Sequence, residues 1–346
     1  MNLRRTAMAL LLLLAVATPA NASQPLRPAT GNTPGVLRIA GNPQLQVLVQ
    51  RWVARFRRLH PHLRIETRLT GSDTGMAALY TGKADIALLG RSPTASEIQA
   101  FQWVFGYRPA QLDVATGSFD QPGRSPALVL FVHRGNPLQQ LSLAQLDAIF
   151  GAGHRPGTVN IRSWGQLGLT GEWAHRFIHL YMPDATSGSG RFFRHVAMAD
   201  GAAMNWAHLT EFHDTALTGV GADDAGRKVA SALARDRYGL AIASLGDRND
   251  RIRPIAVREN DHATPLQADR NSVFLRQYPF SRSVVACYNP APGAAANRLA
   301  IEFLKFVLGK QGLQQVTPST GYLPLTAERA AQQRSRLPAR SPPDKS

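Results

Sequence analysis

Between Val36 and Thr94 the sequence alternates short apolar runs with amphipathic stretches, and this alternation limits the fold more than any other feature. Val36 to Ala40 is an apolar run of strand length. Gly41-Asn42-Pro43-Gln44 turns the chain, and Leu45, Leu48, Val49, Trp52, Phe56 and Leu59 then recur as one helical stripe. His60-Pro61-His62 stops that helix. Leu63, Ile65, Thr67 and Leu69 alternate as a strand. Gly71-Ser72-Asp73-Thr74-Gly75 is a turn into a short helix through Met76, Leu79 and Tyr80, and Ala84 to Leu89 reads as a buried strand. The order strand, helix, strand, helix, strand predicts an α/β fold with a mostly parallel sheet and helices on its faces. Ligands of such sheets bind outside the carboxyl ends of the strands. The turns at Asn42, Ser72 and Gly90 therefore share one rim.

The pattern continues beyond this unit. Ala127 to His133, Gly239 to Ala243 and Pro254 to Val257 read as strands, and Tyr278 to Asn289 as a long one. Leu141 to Phe150, Glu172 to Leu180, Val229 to Asp236, Asn297 to Leu308 and Gln311 to Val316 read as helices. From Ala327 onward the chain is polar, basic and proline-containing, which predicts a disordered tail over 327–346. With 346 residues and 44% hydrophobic content the chain can build about two domains with real cores.

The first 22 residues read as an export signal. Arg4 and Arg5 form a positive start, Ala7 to Ala17 an apolar run too short to span a membrane, and Ala20-Asn21-Ala22 a small-x-small cleavage site. Residues 23–34 read as a flexible leader. The mature protein is expected to be exported and soluble. The formal charge is +16, and losing Arg4 and Arg5 leaves +14. Such a field attracts anions. The basic residues are scattered, without the aromatic interleaving of nucleic-acid grooves, so no nucleic-acid partner is expected. The single cysteine, Cys287, lies in an apolar run and is read as a buried, inert thiol.

Thr186 to Val196 carries the chemistry. Ser187-Gly188-Ser189-Gly190 interleaves two hydroxyls with two glycines and runs into an apolar helical pattern at Phe192, Phe193 and Val196. Glycines admit close backbone approach, and a helix start offers N–H donors and a positive dipole end. The stretch reads either as an oxyanion site built without metal or as an ordinary serine-capped helix. Other chemistry is poorly supported. Asp73-Thr74-Gly75 lacks the second carboxylate motif that aspartic proteases require. His175 and His179, four apart on a predicted helix, lack a third metal ligand. No nucleophile elbow or phosphate loop is present. Asp85 reads as a strand-start residue, and Trp164 and Trp173 as packing residues.

Six separated segments in order resemble one family: GSDTGMAALYTGKADIALLGRSPT, NPLQQLSLAQLDAIFG, SGSGRFF, YGLAIASL, YPFSRSVVACYN and IEFLKFVLGKQGLQQVTPSTGYLPL. The chain resembles the phosphate-binding proteins of phosphate ABC transporters, within the type II periplasmic binding-protein fold. The resemblance implies two α/β lobes joined by two hinge crossings. The first lobe would be discontinuous, over 35–122 and 280–326, with the second over 123–279. It implies a periplasmic, monomeric, non-enzymatic protein that holds phosphate or a similar oxyanion and delivers it to a membrane permease. No metal or cofactor is implied, and the membrane would be met only through the permease. Ser72 matches the family's Gly-Ser turn, and Ser187, Gly188 and Ser189 match its Ser-Gly-Thr. The family's first-lobe hydroxyl falls at Pro43, so Asn42 or Gln44 would replace it. Some members place an aspartate that accepts a hydrogen bond from protonated phosphate where this chain has Gly90; others have Ser-Arg there, which keeps Arg91. The family's arginine before Ser-Gly-Thr falls at Pro183, with Arg191 as substitute. These departures also admit an alternative, a related binding module that has lost tight phosphate binding and serves in signalling, adhesion or surface attachment.

Overall fold

The computed structural model describes residues 35–152, 159–198, 203–216, 224–290 and 295–338. The predicted signal peptide and leader lie outside them.

The chain first lays down β1 (Val36–Gly41), α1 (Gln46–Leu59), β2 (Arg64–Leu69), α2 (Ser72–Tyr80), β3 (Ile86–Leu89), α3 (Ala95–Phe105) and β4 (Ala110–Thr116). The chain then crosses to a second sheet. There it forms β5 (Leu128–His133), β6 (Gln140–Ser142), α4 (Leu143–Phe150), β7 (His179–Pro183), α5 (Gly188–Met198), β8 (Leu209–Phe212), α6 (Ala225–Leu233), β9 (Gly239–Ser244), β10 (Ile252–Pro254), β11 (Ala256–Arg258) and α7 (Arg270–Phe274). It returns as β12 (Ser283–Tyr288), α8 (Ala295–Val307) and α9 (Ala327–Ser335).

Two five-stranded sheets result, ordered β2-β1-β3-β12-β4 and β10-β5-β9-β7-β8. The strand–helix alternation produces the parallel pairs β1–β2, β1–β3, β7–β8 and β7–β9. The strands that bracket the crossings run the other way: β12 is antiparallel to β3 and β4, and β5 to β9 and β10. Each sheet is therefore mixed. The helices close each lobe over an apolar core. Leu48, Trp52 and Phe56 of α1 pack with Phe303 and Leu304 of α8 on one face of the first sheet. Met76, Leu79, Phe101 and Cys287 pack on the other. In the second lobe Phe150, Trp164, Trp173 and Phe193 share one core with Phe280 of the return crossing. Cys287 is fully buried, and burial pushes its thiol pKa well up, which fits the inert reading.

Three expectations are corrected. The helix expected over 172–180 is absent: after a short turn at Gly171–Trp173, the N–H of Trp164 bonds the Arg176 carbonyl and that of Ile178 bonds the Arg162 carbonyl. Gly171 is left-handed, and burying Trp164, Trp173 and Ile178 together outweighs helix propensity here. His179 accordingly sits on β7, 2.7 Å from Asp236, and does not share a helix face with His175. The long strand expected over 278–289 forms only at β12, because Tyr278 to Arg282 belong to the crossing. The tail expected to be disordered from Ala327 begins as α9, capped by the Thr326 hydroxyl. Its Ala330, Gln333 and Leu337 are buried, and Gln333 Oε1 accepts from the Asp113 N–H at the edge of the first sheet. Only one face of α9 is needed for this, so its composition stays polar. Residues 339–346 lie outside the described residues.

Candidate functional site

A cleft of about 930 Å³ opens between the lobes, where the ends of β1, β2 and β7 meet the starts of the following helices. Asn42, Gln44, Ser72, Arg91, Ser187, Gly188, Ser189 and Arg191 all line it.

On the first lobe, close backbone contact sets the geometry. An ideal Cβ on Gly75 would stand 2.9 Å from the Gly41 Cα, so only glycine lets the first turn of α2 lie against the end of β1. This brings Ser72 beside Asn42, whose Nδ2 donates to the Ser72 hydroxyl at 3.4 Å while its Oδ1 accepts from the Gln44 N–H at 2.8 Å. Gln44 faces the crossing: its Oε1 accepts from the Ser125 hydroxyl at 3.1 Å. Ser125 is fully buried with φ of +46°, a conformation non-glycine residues seldom hold without a structural reason. A Cβ on Gly90 would meet Asn42 Nδ2 and Ser125 Oγ, each at 2.8 Å. The bare Gly90 therefore lets these two polar groups close over the end of β3.

On the second lobe the two serines divide their roles. The Ser187 hydroxyl donates to the Asp184 carbonyl at 2.6 Å and accepts from the Gly190 N–H at 3.1 Å. It is a helix cap, with its hydrogen already used. The Ser187 hydroxyl thus caps the helix start that lines the cleft. Gly188 and Ser189 open α5, so their N–H groups have no intrahelical acceptor and head the positive end of the helix. The loop before them is anchored by Asp184, which accepts from the Thr186 N–H and hydroxyl at 2.7 and 2.8 Å and pairs with His213. Burial of Asp184 opposes its charge, but the Thr186 and His213 bonds outweigh burial and hold the carboxyl below its ordinary pKa.

Arg91, Arg124, Arg191 and Arg227 line the cleft; Arg282 does not, but it bonds Ser189, which does. Arg91 is 4% exposed, yet it is held by both oxygens of Glu97 at 2.7 and 2.8 Å and by Asp73. Burial works against its charge; Glu97 and Asp73 outweigh burial and raise its pKa. Arg91 is thus answered within its own lobe while it lines the cleft. Arg191 reaches across to Asp73 at 3.0 Å and donates to the Thr186 carbonyl at 2.8 Å. Arg282, 1% exposed, donates from Nε and Nη2 to the Gly90 carbonyl at 3.1 and 2.9 Å and from Nη1 to the Ser189 hydroxyl at 3.0 Å.

A family model described as the PBP superfamily domain matches residues 28–311. The chain belongs to the PBP superfamily. Over 335 residues it is 29% identical to the phosphate-binding protein PstS of Pseudomonas aeruginosa, covering 95% of this chain and 97% of that one. It is 22% identical over 339 residues to the protein SphX of Synechococcus elongatus, covering 96% and 90%. An ABC-type phosphate transport receptor from Vibrio cholerae shares the fold with a TM-score of 0.57 at 17% identity, over 83% of this chain and 99% of that one. PstS from Borrelia burgdorferi does so with a TM-score of 0.56 at 14% identity, over 84% and 99%.

Within the PBP superfamily fold, the cleft can offer amide, hydroxyl and guanidinium donors from both lobes to one solute. Among the described residues no cluster of His, Cys, Asp and Glu could hold a metal ion. Arg282 and Ser125 escaped the sequence reading. An arginine breaking the apolar run YPFSRSVVACYN was a usable signal, because a charge beside a buried strand needs a reason. Ser125 carries no such signal, since its backbone conformation appears only in three dimensions.

Proposed function

We propose that this protein is an exported solute-binding protein that captures phosphate, or a similar oxyanion, between its lobes and delivers it to an ABC permease. It acts as a binder and not as an enzyme. The observation that carries the reading is the convergence of two helix starts from different lobes, α2 at Ser72 and α5 at Gly188 and Ser189, on one cleft. A dehydrated oxyanion needs every oxygen hydrogen-bonded, because buried unpaired polar groups cost about 1–3 kcal/mol each. Donors split between lobes then tie binding to hinge closure. Relatives named as phosphate-binding proteins over nearly the whole chain support the same reading. The residues assigned to the anion are Asn42, Ser72, Gly188 and Ser189, with Gln44 positioning the first-lobe turn. The periplasm is the compartment this role requires, and among the described residues no helix is long and apolar enough to cross a membrane.

A second reading, a related module that binds phosphate weakly or not at all and serves in signalling, adhesion or attachment, draws support from the committed states of Arg91 and Ser187. Equilibrium binding of labelled phosphate with sulfate as competitor separates the two. Saturable binding at micromolar phosphate supports transport; none at that concentration supports the second reading.

A further inference from the structure

Arg282 is the last residue of the second crossing, immediately before β12 of the first lobe. Its side chain does not stay there. Beyond the two bonds to Gly90 it reaches α5, where Nη1 meets the Ser189 hydroxyl at 3.0 Å and Nη2 the Gly188 carbonyl at 3.3 Å. The guanidinium carbon lies 5.2 Å from the centre of the Phe192 ring, on the first turns of the same helix.

Two consequences follow from elementary electrostatics. A serine hydroxyl has one hydrogen and two lone pairs. Guanidinium N–H groups only donate, so the Ser189 oxygen is the acceptor in its bond to Arg282, and its own hydrogen is left for another partner. Polarised by a buried cation, that hydrogen becomes a stronger donor, and it sits beside the N–H groups of Gly188 and Ser189. The arrangement also sets a cation against the positive end of α5, two like-signed partners brought together by the lobes. A negative solute at that helix start attracts both and offsets their repulsion.

We propose that Arg282 is the positioning residue of the anion site: it turns the Ser189 hydroxyl toward the solute as a charge-assisted donor and makes the contact between the lobes depend on an anion. This rests on the oxyanion reading above. It moves the cationic role from Arg91 and Arg191 to a residue on the return crossing.

The test is calorimetric titration of the whole chain with inorganic phosphate and, separately, sulfate, for the parent, Arg282→Met, Arg282→Lys, Ser189→Ala and the double variants. Melting curves without ligand check folding. Removing a charge-assisted bond should weaken phosphate binding about 100-fold in Arg282→Met and about tenfold in Ser189→Ala. Because the Ser189 hydroxyl donates to the solute only when Arg282 orients it, the double variant should match Arg282→Met within about threefold. Arg282→Lys keeps the charge without the fork and should recover binding to within about tenfold of the parent. Phosphate affinity in Arg282→Met within about threefold of the parent would overturn the proposal, as would a double variant showing the product of the two single losses. If Arg282→Met does not melt cooperatively, Arg282→Lys with and without Ser189→Ala carries the same comparison and the same criterion. A parent that binds neither phosphate nor sulfate removes the oxyanion reading and the proposal together. A parent that binds while the Arg282 variants bind equally well removes the proposal alone.

Discussion

Asp73 and Arg191 meet at 3.0 Å across the mouth of the cleft, one on the first turn of α2 and the other on the first turn of α5. The same carboxylate also holds Arg91, so a single side chain joins a buried cation of one lobe to a surface cation of the other. Asp73 is 53% exposed and Arg191 38%. Exposed pairs of this kind contribute roughly 0–1 kcal/mol. That biases closure by a few-fold without closing the lobes unaided.

Arg191→Gln is therefore expected to speed anion release about two- to fivefold, with the difference shrinking as salt is raised. Stopped-flow dissociation in low and high salt measures it. A loss near a hundredfold, insensitive to salt, would place Arg191 on the anion itself.

Ser187→Ala and Ser189→Ala should separate cleanly. The first removes a helix cap and should lower stability by about 1 kcal/mol in denaturant melts while changing phosphate affinity little. The second should leave the melt nearly unchanged and weaken binding about tenfold. Equal effects of both on affinity would return Ser187 to the binding surface.

Asp184 sets a pH dependence. Its folded pKa lies below the ordinary carboxylate value, so it stabilises the fold fully above the unfolded pKa and loses that contribution as pH falls through the depressed folded value. Asp184→Ala should be less stable than the parent by about 1–2 kcal/mol at neutral pH. The gap should close on acidification through that range, as read by melts across pH. A gap that persists in acid would mean the carboxyl acts through shape alone.

Truncation before Ala327 should destabilise the first lobe. It uncovers the surfaces now packed by Ala330 and Leu337 and strips the Asp113 N–H of its Gln333 partner. A loss of about 2–4 kcal/mol in chemical denaturation is expected, from the apolar burial and the broken bond together. An unchanged midpoint would show that α9 adds nothing to the fold.

Much of the architecture was legible along the chain. The stripe from Leu45 to Leu59 and the run from Ala84 to Leu89 announce their elements because apolar spacing is a local property. The loop-to-helix start at Ser187 was visible for the same reason. Where the reading went astray, distant contacts had overridden local preference. Residues 172–180 gave up a helix so that Trp164 and Trp173 could pack together, and α9 found order against the edge of β4. Within the site, residue types fixed which groups could donate, but not which were still free to do so. Ser187 and Ser189 look alike in sequence and differ only in what surrounds them: a carbonyl and an N–H for one, a guanidinium 93 positions away for the other.

The order of strands and helices, the glycine-bearing turns and the basic balance were thus determined by the sequence itself, since each depends on near neighbours or on composition. Which arginine is answered within its own lobe and which reaches the other was decided only in three dimensions. Charge is a property of a side chain, but its availability depends on the partners that folding brings to it, and for Arg91 and Arg282 those partners lie on different lobes.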